Sequence, residues 1–338
     1  MADTNGQRPS ATEQFMQLHL GFAPSRIMAA AIQLDVFSHI AAGKKTVAAV
    51  AKAAGASDRG MRMLLDSLTG MQFLRKRDST YRLSAAARRY LVASAPDYCG
   101  AMLGDDRLWN SWTHLTEVIR NGKAAVECNE RKAAESFFPM LVQGLHVTSR
   151  SLARRLAGEL LDSRRSGGLE VLDVACGSGV WGIALAEADR AVRVTAHDFP
   201  KVLELTRQYA ARHGVEKRFS FLDGDLSEVD FGTRRFDVAL LGNIVHSEGA
   251  DSSRRLFRKV YKALKPGGRI VIIDMLPNDQ RTAPPFPLLF ALVMLVHTEC
   301  GDTYTFKEYR SWLRQAGFDR VAKVNIGSHS PTIVATRR

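Results

Sequence analysis

Apolar residues follow two different patterns along the chain, and the change comes near residue 165. From residue 15 to 165, Ala, Leu, Met and Arg dominate and apolar residues recur at three- and four-residue spacings, which predicts helices. From residue 166 onward, short apolar segments alternate with helical ones, which predicts a parallel sheet covered on both faces. We predict its strands at residues 169–174, 192–196, 220–222, 238–241 and 269–274.

Two local patterns refine this α/β prediction. In the helical region, two short helices joined by Gly55 are followed by a small hairpin and a further helix, which predicts a winged helix-turn-helix, with elements at residues 46–54, 58–69, 73–75, 81–83 and 84–91. Near the end, the apolar runs 321–326 and 332–336 are separated only by Gly327–Pro331. So short a connection forces an antiparallel hairpin, because a parallel crossover needs a dozen or more residues.

A glycine-rich loop follows the first strand of the α/β region, in the run LEVLDVACGSGVWG (169–182). Gly177 and Gly179 let a ligand approach the backbone, and with Gly182 and the later Asp198 they also fit a dinucleotide-binding pattern. A plain tight turn and a dehydrogenase are therefore both open on this motif alone. Asp173, the LKPGGRIVIID run and the terminal hairpin favour S-adenosylmethionine, since a carboxylate at position 173 suits an amino group and not a pyrophosphate.

The motifs LDVACGSG, HDFP, GDL, NIVH and LKPGGRIVIID together resemble class I S-adenosylmethionine-dependent methyltransferases. More narrowly, residues 15–338 resemble the small-molecule O-methyltransferase family of the caffeate, acetylserotonin and hydroxyneurosporene type, to which bacteriochlorophyllide methyltransferase is related. The resemblance implies a Rossmann-like sheet with a terminal antiparallel hairpin, an N-terminal winged-helix dimerisation domain and a homodimer. We expect a flexible N-terminus, the dimerisation domain, a helical linker with acceptor-pocket helices and the catalytic domain at 1–14, 15–100, 101–165 and 166–338.

The resemblance also implies a cofactor site. Gly177 and Gly179 would pack against the amino-acid tail of S-adenosylmethionine, near Asp173, and Asp198 would accept hydrogen bonds from the ribose. Further expected cofactor contacts are Phe199 on the adenine face, Asp225 at the adenine amino group, Leu226 and Asn243. The alternative for Asp198 and Asp225 is that they are solvated carboxylates in loops, with no ligand to bind.

For catalysis, the resemblance implies His246 as the general base, with Asp274 beside it. A histidine suits this work near neutral pH, and a sulfonium donor needs mainly alignment with the acceptor. Thr303 stands here where the family has its second acid, so Glu299 and Asp302 are the candidates to replace that acid, and we assign Glu299 as the third catalytic residue. Ser247 and Glu248 replace a further family motif. These departures leave C-methylation, or a member that uses the cofactor structurally, as alternatives.

We expect the acceptor to be an aromatic or polycyclic small molecule bound between the domains, above the carboxyl ends of the strands. Aromatic and Met side chains suit a flat, apolar acceptor. The expected walls are Trp109, Trp112, a turn at 137–140 that contains Phe138 and Met140, His146, and Met294 in a helix at 288–294. A purely structural role in the core is the alternative for these residues.

Charge and composition narrow the function classes. The 338 residues carry a net charge of +12, which is typical of proteins that bind nucleic acid. A DNA-binding regulator that uses the winged helix is therefore an alternative to the methyltransferase. The helix at 58–69 is too apolar and mixed in charge to read bases, so we expect no nucleic acid and attribute the charge to solvated helix faces. The apolar run 284–296 is too short to span a membrane, and four scattered cysteines with no signal peptide indicate a reduced, cytoplasmic protein with no metal.

Overall fold

The computed structural model describes residues 10–126, 131–162, 168–327 and 330–338, and of these it leaves the side chains of residues 131–140 and 162 undescribed. The chain divides into two compact units, Met1–Arg107 and Leu108–Arg338. The first unit contains the helices α1 (Ala11–His19), α2 (Ala23–Gln33), α3 (Val36–Ala41), α4 (Val47–Ala54), α5 (Asp58–Gly70), α6 (Ala85–Tyr90) and α7 (Gly100–Gly104), and the strands β1 (Leu74–Arg77) and β2 (Thr80–Leu83).

The first unit confirms the winged helix-turn-helix. Gly55 ends α4 with a left-handed φ of 63°, and the Ser57 side chain accepts from the Gly60 N–H to begin α5. Helix α5 buries Met61, Leu65 and Leu68, which share one face because they lie three and four residues apart. On the exposed side of α5, Asp66 forms ion pairs with Arg62 and Lys76, which partly neutralise the positive charge of this surface.

The predicted flexible N-terminus, residues 1–14, overlaps a helix. Helix α1 begins at Ala11 because Ser10 and Glu13 form a capping box, in which each side chain accepts from the other residue's backbone N–H. Residues 11–14 are therefore helical, and residues 1–9 lie outside the described part of the chain.

The second unit contains the seven-stranded sheet and the helices around it. Helix α8 (Asp106–Trp112) crosses the division between the units. The remaining helices are α9 (Leu115–Asn121), α10 (Arg131–Asp162), α11 (Val180–Ala188), α12 (Pro200–Arg212), α13 (Ala250–Ala263), α14 (Pro285–His297) and α15 (Phe306–Gln315), with short 3₁₀ helices at Glu216–Arg218 and Val245–Ser247. The strands are β3 (Glu170–Val174), β4 (Arg193–Asp198), β5 (Phe219–Asp223), β6 (Phe236–Gly242), β7 (Leu264–Ile273), β8 (Phe318–Val324) and β9 (Thr332–Arg337).

One predicted turn is wrong. Residues 137–140 lie within α10, which runs without a break from Arg131 to Asp162. The RKAAE run before the predicted turn consists of good helix formers, so one long helix is favoured over two short ones.

The sheet has the order β5-β4-β3-β6-β7-β9-β8, which confirms the predicted parallel strands and the terminal hairpin. The five strands β3 to β7 pair in parallel, whereas β9 pairs antiparallel with both β7 and β8. Successive strand residues point to opposite faces, so Val171 packs with α10 and α11 while Leu172 packs with α13 and α15. The chain order reverses between β3 and β6, and a crevice is expected there at the carboxyl ends of the strands.

Over the described residues, no helix is long and apolar enough to cross a membrane. The apolar run 284–296 forms most of the 13-residue helix α14. Cys99, Cys176 and Cys300 are free thiols, and Cys128 lies outside the described residues. A cytoplasmic location stays a prediction.

Candidate active site

The loops that follow β6 and β7 bring a histidine and an aspartate together. His246 lies in the 3₁₀ turn after β6, and its Nδ1 is 2.6 Å from Oδ1 of Asp274, the residue that follows β7. The backbone N–H of His246 also donates to Asp274 Oδ2, at 3.1 Å. Both residues are buried. Because β6 and β7 are parallel neighbours, their ends meet at one edge of the sheet, which explains a contact across 28 residues of sequence.

The Asp274 carboxylate determines which nitrogen of His246 carries the proton. A carboxylate only accepts hydrogen bonds, so the 2.6 Å contact assigns the proton to Nδ1 and leaves a lone pair on Nε2. Within the described ranges, Nε2 has no hydrogen-bond partner. The Phe290 ring stands edge-on to the imidazole, with 4.9 Å between ring centroids. The Asp274 carboxylate thus fixes the orientation of the imidazole and leaves Nε2 able to accept a proton.

Tyr309 of α15 is a third member of this group that sequence reasoning missed. Its hydroxyl donates to Asp274 Oδ2 at 2.8 Å, and burial raises the Tyr309 pKa well above its usual range, so the proton stays on the oxygen. With the backbone N–H of Met275 on Oδ1, Asp274 accepts four hydrogen bonds. No sequence motif marks Tyr309, which reads as one apolar-face residue of a helix.

The structure does not bring Glu299 into this group. Glu299 is exposed, and no hydrogen bond joins its side chain to His246 within the described ranges. The backbone N–H of Asp302 donates to the His246 carbonyl at 2.9 Å, while its carboxylate lies 3.5 Å from Arg281. Thr303 is fully buried and donates to the Pro287 carbonyl. The third residue that contacts the His246–Asp274 pair is therefore Tyr309, whose hydroxyl donates to Asp274, and not the predicted Glu299.

The glycine loop after β3 has the conformation that its sequence predicts. Gly177 and Gly179 have left-handed φ values of 56° and 71°, and a Cβ added at Gly177 would meet only Val142, at 3.4 Å. Asp173 is fully buried and its Oδ2 accepts from the Gly182 N–H at 3.0 Å, whereas Oδ1 has no partner among the described residues. Burial raises the pKa of Asp173 to about 8. An open glycine cradle beside an unpaired carboxyl oxygen fits a ligand that carries an ammonium group.

The carboxylate at the end of β4 has different partners. Asp198 is half-buried, and it accepts from the backbone N–H of Gly177 and of Phe199, both at 2.8 Å. Burial raises its pKa to about 6, and the two hydrogen bonds oppose the shift. The Asp198 carboxylate thereby links the glycine loop to the end of β4.

The remaining predicted cofactor residues surround the same sheet edge. Phe199 is half-buried. Asp225 is exposed, and hydrogen bonds from the hydroxyl and N–H of Ser227 lower its pKa. The Leu226 carbonyl accepts from Lys259, at 2.8 Å. Asn243 has a left-handed φ of 60°, and its N–H donates to the Ile273 carbonyl, which ties the end of β6 to β7.

The predicted acceptor residues have varied surroundings. Trp109 is 39% exposed, Trp112 is half-buried and Met294 is buried within α14. His146 is buried and its Nδ1 is 3.0 Å from Ser178 Oγ, so it lies against the glycine loop. The side chains of Phe138 and Met140 lie outside the described part of the chain.

Two family models match most of the chain. A family model described as the O-methyltransferase domain matches residues 112–319, and one described as the O-methyltransferase dimerisation domain matches residues 16–93. The chain is 29% identical over 317 residues to the tetracenomycin polyketide synthesis 8-O-methyl transferase of Streptomyces glaucescens, with 90% of this chain and 91% of that protein covered.

It is also 29% identical over 321 residues to the 3-hydroxy-5-methyl-1-naphthoate 3-O-methyltransferase of Streptomyces sahachiroi, with 92% and 90% covered. The crystal structure of human N-acetylserotonin methyltransferase in complex with S-adenosylmethionine has the same fold, with a TM-score of 0.83, 24% identity and 99% of each chain covered. With one family model over more than half of its length and a second over its N-terminal part, the chain belongs to the O-methyltransferase family.

Proposed function

We propose that this protein transfers a methyl group from S-adenosylmethionine to a hydroxyl oxygen of an aromatic or polycyclic small molecule. The observation that carries the proposal is the buried His246–Asp274 pair, 2.6 Å apart, which leaves Nε2 of the histidine as a base. The names of the two Streptomyces relatives describe O-methyl transfer in polyketide synthesis and on a hydroxynaphthoate, which supports an aromatic acceptor.

The cofactor would be held by residues at the carboxyl edge of the sheet. The Asp173 carboxyl fits the ammonium group, and the open space above Gly177 fits the amino-acid tail beside it. Gly179 would contribute its left-handed turn, since a Cβ there would lie 2.8 Å from Thr206. Asp198, at the end of β4, would accept from the ribose hydroxyls, and Phe199 would cover the adenine face. Asp225, Leu226 and Asn243 complete the proposed set. When bound, the cofactor supplies an electrophilic methyl group on a sulfonium.

In the proposed mechanism, His246 Nε2 removes the acceptor's hydroxyl proton as the oxygen attacks. A phenol has a pKa near 10, so a positioned base assists its attack at neutral pH. The Asp274 carboxylate then stabilises the imidazolium through the Nδ1 proton. Tyr309 and the Met275 N–H hold that carboxylate in place from the other side.

The acceptor would lie against His246 and the α14 helix. Phe290 already contacts the imidazole edge-on, and Met294 lies one helical turn further along. We propose Trp109, Trp112, Phe138 and Met140 as further apolar walls for a flat ring system. The position of His146 beside Ser178 favours a role at the glycine loop instead.

We further propose that the protein is a homodimer. The dimerisation-domain match supports this, as do the exposed apolar side chains of and beside α1, among them Phe15 at 71% and Leu18 at 77%. Light scattering should give twice the chain mass of 37.3 kDa. The variant Leu18→Asp should shift the protein toward the monomer mass of 37.3 kDa. A wild-type protein at 37.3 kDa over the micromolar range would refute the dimer.

The activity is tested with methyl-labelled S-adenosylmethionine and a panel of hydroxynaphthoates and polyhydroxylated aromatic compounds, with products identified by mass spectrometry. For an acceptor that is methylated, His246→Ala should lower kcat by about 10²- to 10⁴-fold and leave the cofactor Kd unchanged. His39→Ala, a histidine of the first unit, is the matched control and should retain full activity. Equal turnover by His246→Ala and the wild type would remove His246 from the role of base.

A further inference from the structure

A second cluster of titratable side chains lies behind the glycine loop and is not used in the proposed mechanism. His146 of α10 is buried, and its Nδ1 is 3.0 Å from the hydroxyl oxygen of Ser178, the residue between Gly177 and Gly179. Its Nε2 is 3.3 Å from Nε2 of His213, and its ring stacks on Tyr209 with centroids 3.8 Å apart. The imidazole is thus fixed in orientation and contacts the loop through one nitrogen.

The outer end of this cluster reaches solvent. His213 Nδ1 is 2.6 Å from Glu187 Oε1, and Glu187 also lies 3.6 Å from Arg154 and 3.9 Å from Arg150. Glu187, His213 and Arg154 line an open cleft of about 500 Å³. A hydrogen-bonded series therefore runs from a surface carboxylate, through two imidazoles, to the glycine loop.

When both imidazoles are neutral, the Glu187 carboxylate determines the proton positions along the series. Glu187 can only accept, so His213 Nδ1 carries a proton, and in the neutral imidazole its Nε2 is an acceptor. The 3.3 Å contact between the two Nε2 atoms then requires the proton on His146 Nε2. His146 Nδ1 is left as an acceptor, so the Ser178 hydroxyl donates to it. Arg150, 3.5 Å from the protonated His213 Nδ1, cannot donate there and faces Glu187 instead.

We propose that His146 is a positioning residue for cofactor binding: through Ser178 it holds the glycine loop in the conformation that receives the cofactor, and Glu187 sets the tautomer of His146 through His213. The inference rests on the proposed function, in which this loop binds S-adenosylmethionine. The loop needs such support because its two glycines, in left-handed conformations, lose much conformational freedom on ordering. The Thr206 hydroxyl holds the Gly177 carbonyl from the other side, at 2.7 Å.

The experiment measures the Kd of S-adenosylmethionine by calorimetry for the wild type, four test variants and one control variant. His146→Phe keeps the stacking on Tyr209 and removes both hydrogen bonds, and we expect it to raise the Kd about fivefold to tenfold. His146→Asn keeps an acceptor close to the position of Nδ1 and should recover a Kd within about threefold of the wild type. Ser178→Ala should match His146→Phe, and the double variant Ser178→Ala/His146→Phe should be no worse than either single one.

The matched control is Thr148→Val, on the same helix, because in the described part of the chain the Thr148 hydroxyl bonds only to its own helix, at Gly144 and Leu145. Its Kd should equal that of the wild type. Equal binding by His146→Phe and the wild type, multiplied losses in the double variant, or an Asn variant as weak as the Phe variant would each overturn the proposal. The last result would mean that only the volume of the ring matters.

A second measurement does not depend on the variants or on the cofactor. Nitrogen-15 NMR of the free wild-type protein should show the proton on Nε2 of His146 and on Nδ1 of His213. The opposite tautomer at His146 would overturn the proposal even if no His146 variant folds. A wild type that does not bind S-adenosylmethionine, but has the expected tautomers, would instead refute the proposed function and the loop's role in it.

Discussion

Asp173→Asn should make the free protein more stable while it removes cofactor binding. Asp173 is fully buried beneath the glycine loop, and its only hydrogen bond among the described residues comes from the Gly182 N–H. Its carboxylate is useful only when a cation lies beside it. Without a ligand, the protein bears the cost of a buried ionisable group at a position where a neutral amide has nearly the same shape.

The size of the effect follows from the pKa of Asp173, which burial raises from 3.8 to about 8. The unfolded chain keeps the usual value, so the wild type loses about 1.4 kcal/mol of folding free energy per pH unit as the pH rises from about 4 to about 8. Below that range the loss is absent, and above it the loss is complete. At pH 7 it reaches roughly 4 kcal/mol.

The amide of the variant leaves an NH₂ group unpaired in the same enclosed place, which costs about 1–3 kcal/mol. We therefore expect Asp173→Asn to be more stable than the wild type by about 1–3 kcal/mol at pH 7, which is a few degrees in Tm for a unit of this size. The gain should shrink as the pH falls toward 5 and should be constant above pH 8.

Thermal unfolding of both proteins without ligand, at pH values from 5 to 9, measures this difference, and calorimetry with S-adenosylmethionine measures binding. The variant should show no binding under conditions in which the wild type is saturated. A variant that is less stable than the wild type at pH 8, or a stability difference that does not change with pH, would refute the reasoning about a buried, unpaired carboxyl group. A variant that binds as well as the wild type would remove Asp173 from the cofactor site.

Two other variants probe the site and its support. Tyr309→Phe removes one of the four donors to Asp274 and keeps the ring, so kcat should fall about tenfold or more while the cofactor Kd stays constant; an unchanged kcat would show that the hydroxyl serves only packing. Gly242→Ala places a Cβ 2.3 Å from Trp181 Nε1 and should lower the free energy of unfolding by about 1–3 kcal/mol, whereas Gly70→Ala, with open space at its Cβ, should not lower it in the same denaturant titration.

Much of the sheet could be predicted because its strands are short apolar runs bounded by glycine and charged residues. The strand predicted at 238–241 spans Phe236–Gly242, which is two residues longer at the start and one at the end. The strand predicted from 269 begins five residues earlier, at Leu264, because Leu264 pairs with Phe236 across an irregular register. Backbone pairing with a neighbour decided this boundary, and no local pattern of apolar residues reports it.

The site was predictable where side chains follow strand ends and unpredictable where helices supply them. His246 and Asp274 come directly after β6 and β7, so their proximity follows from the parallel sheet. Tyr309 lies 35 residues beyond Asp274 and reaches it only because α15 packs on the same sheet face. The sequence predicts His146 as a wall of the acceptor pocket because its sequence neighbours are apolar. Its contact with Ser178 could not be predicted, since the two residues lie 32 positions apart and on different elements.

The position of β9 has a consequence for how the protein folds during synthesis. Among the described strands, β9 lies between β7 and β8 and is the one that joins β8 to the sheet. The seven-stranded sheet therefore stays open at β7 until residues 332–337 have left the ribosome, although the winged-helix unit is complete more than two hundred residues earlier. An unpaired edge of this kind invites association with other chains. The catalytic unit thus depends on the synthesis of residues 332–337, and a ribosome stalled shortly before Thr332 would hold an aggregation-prone sheet.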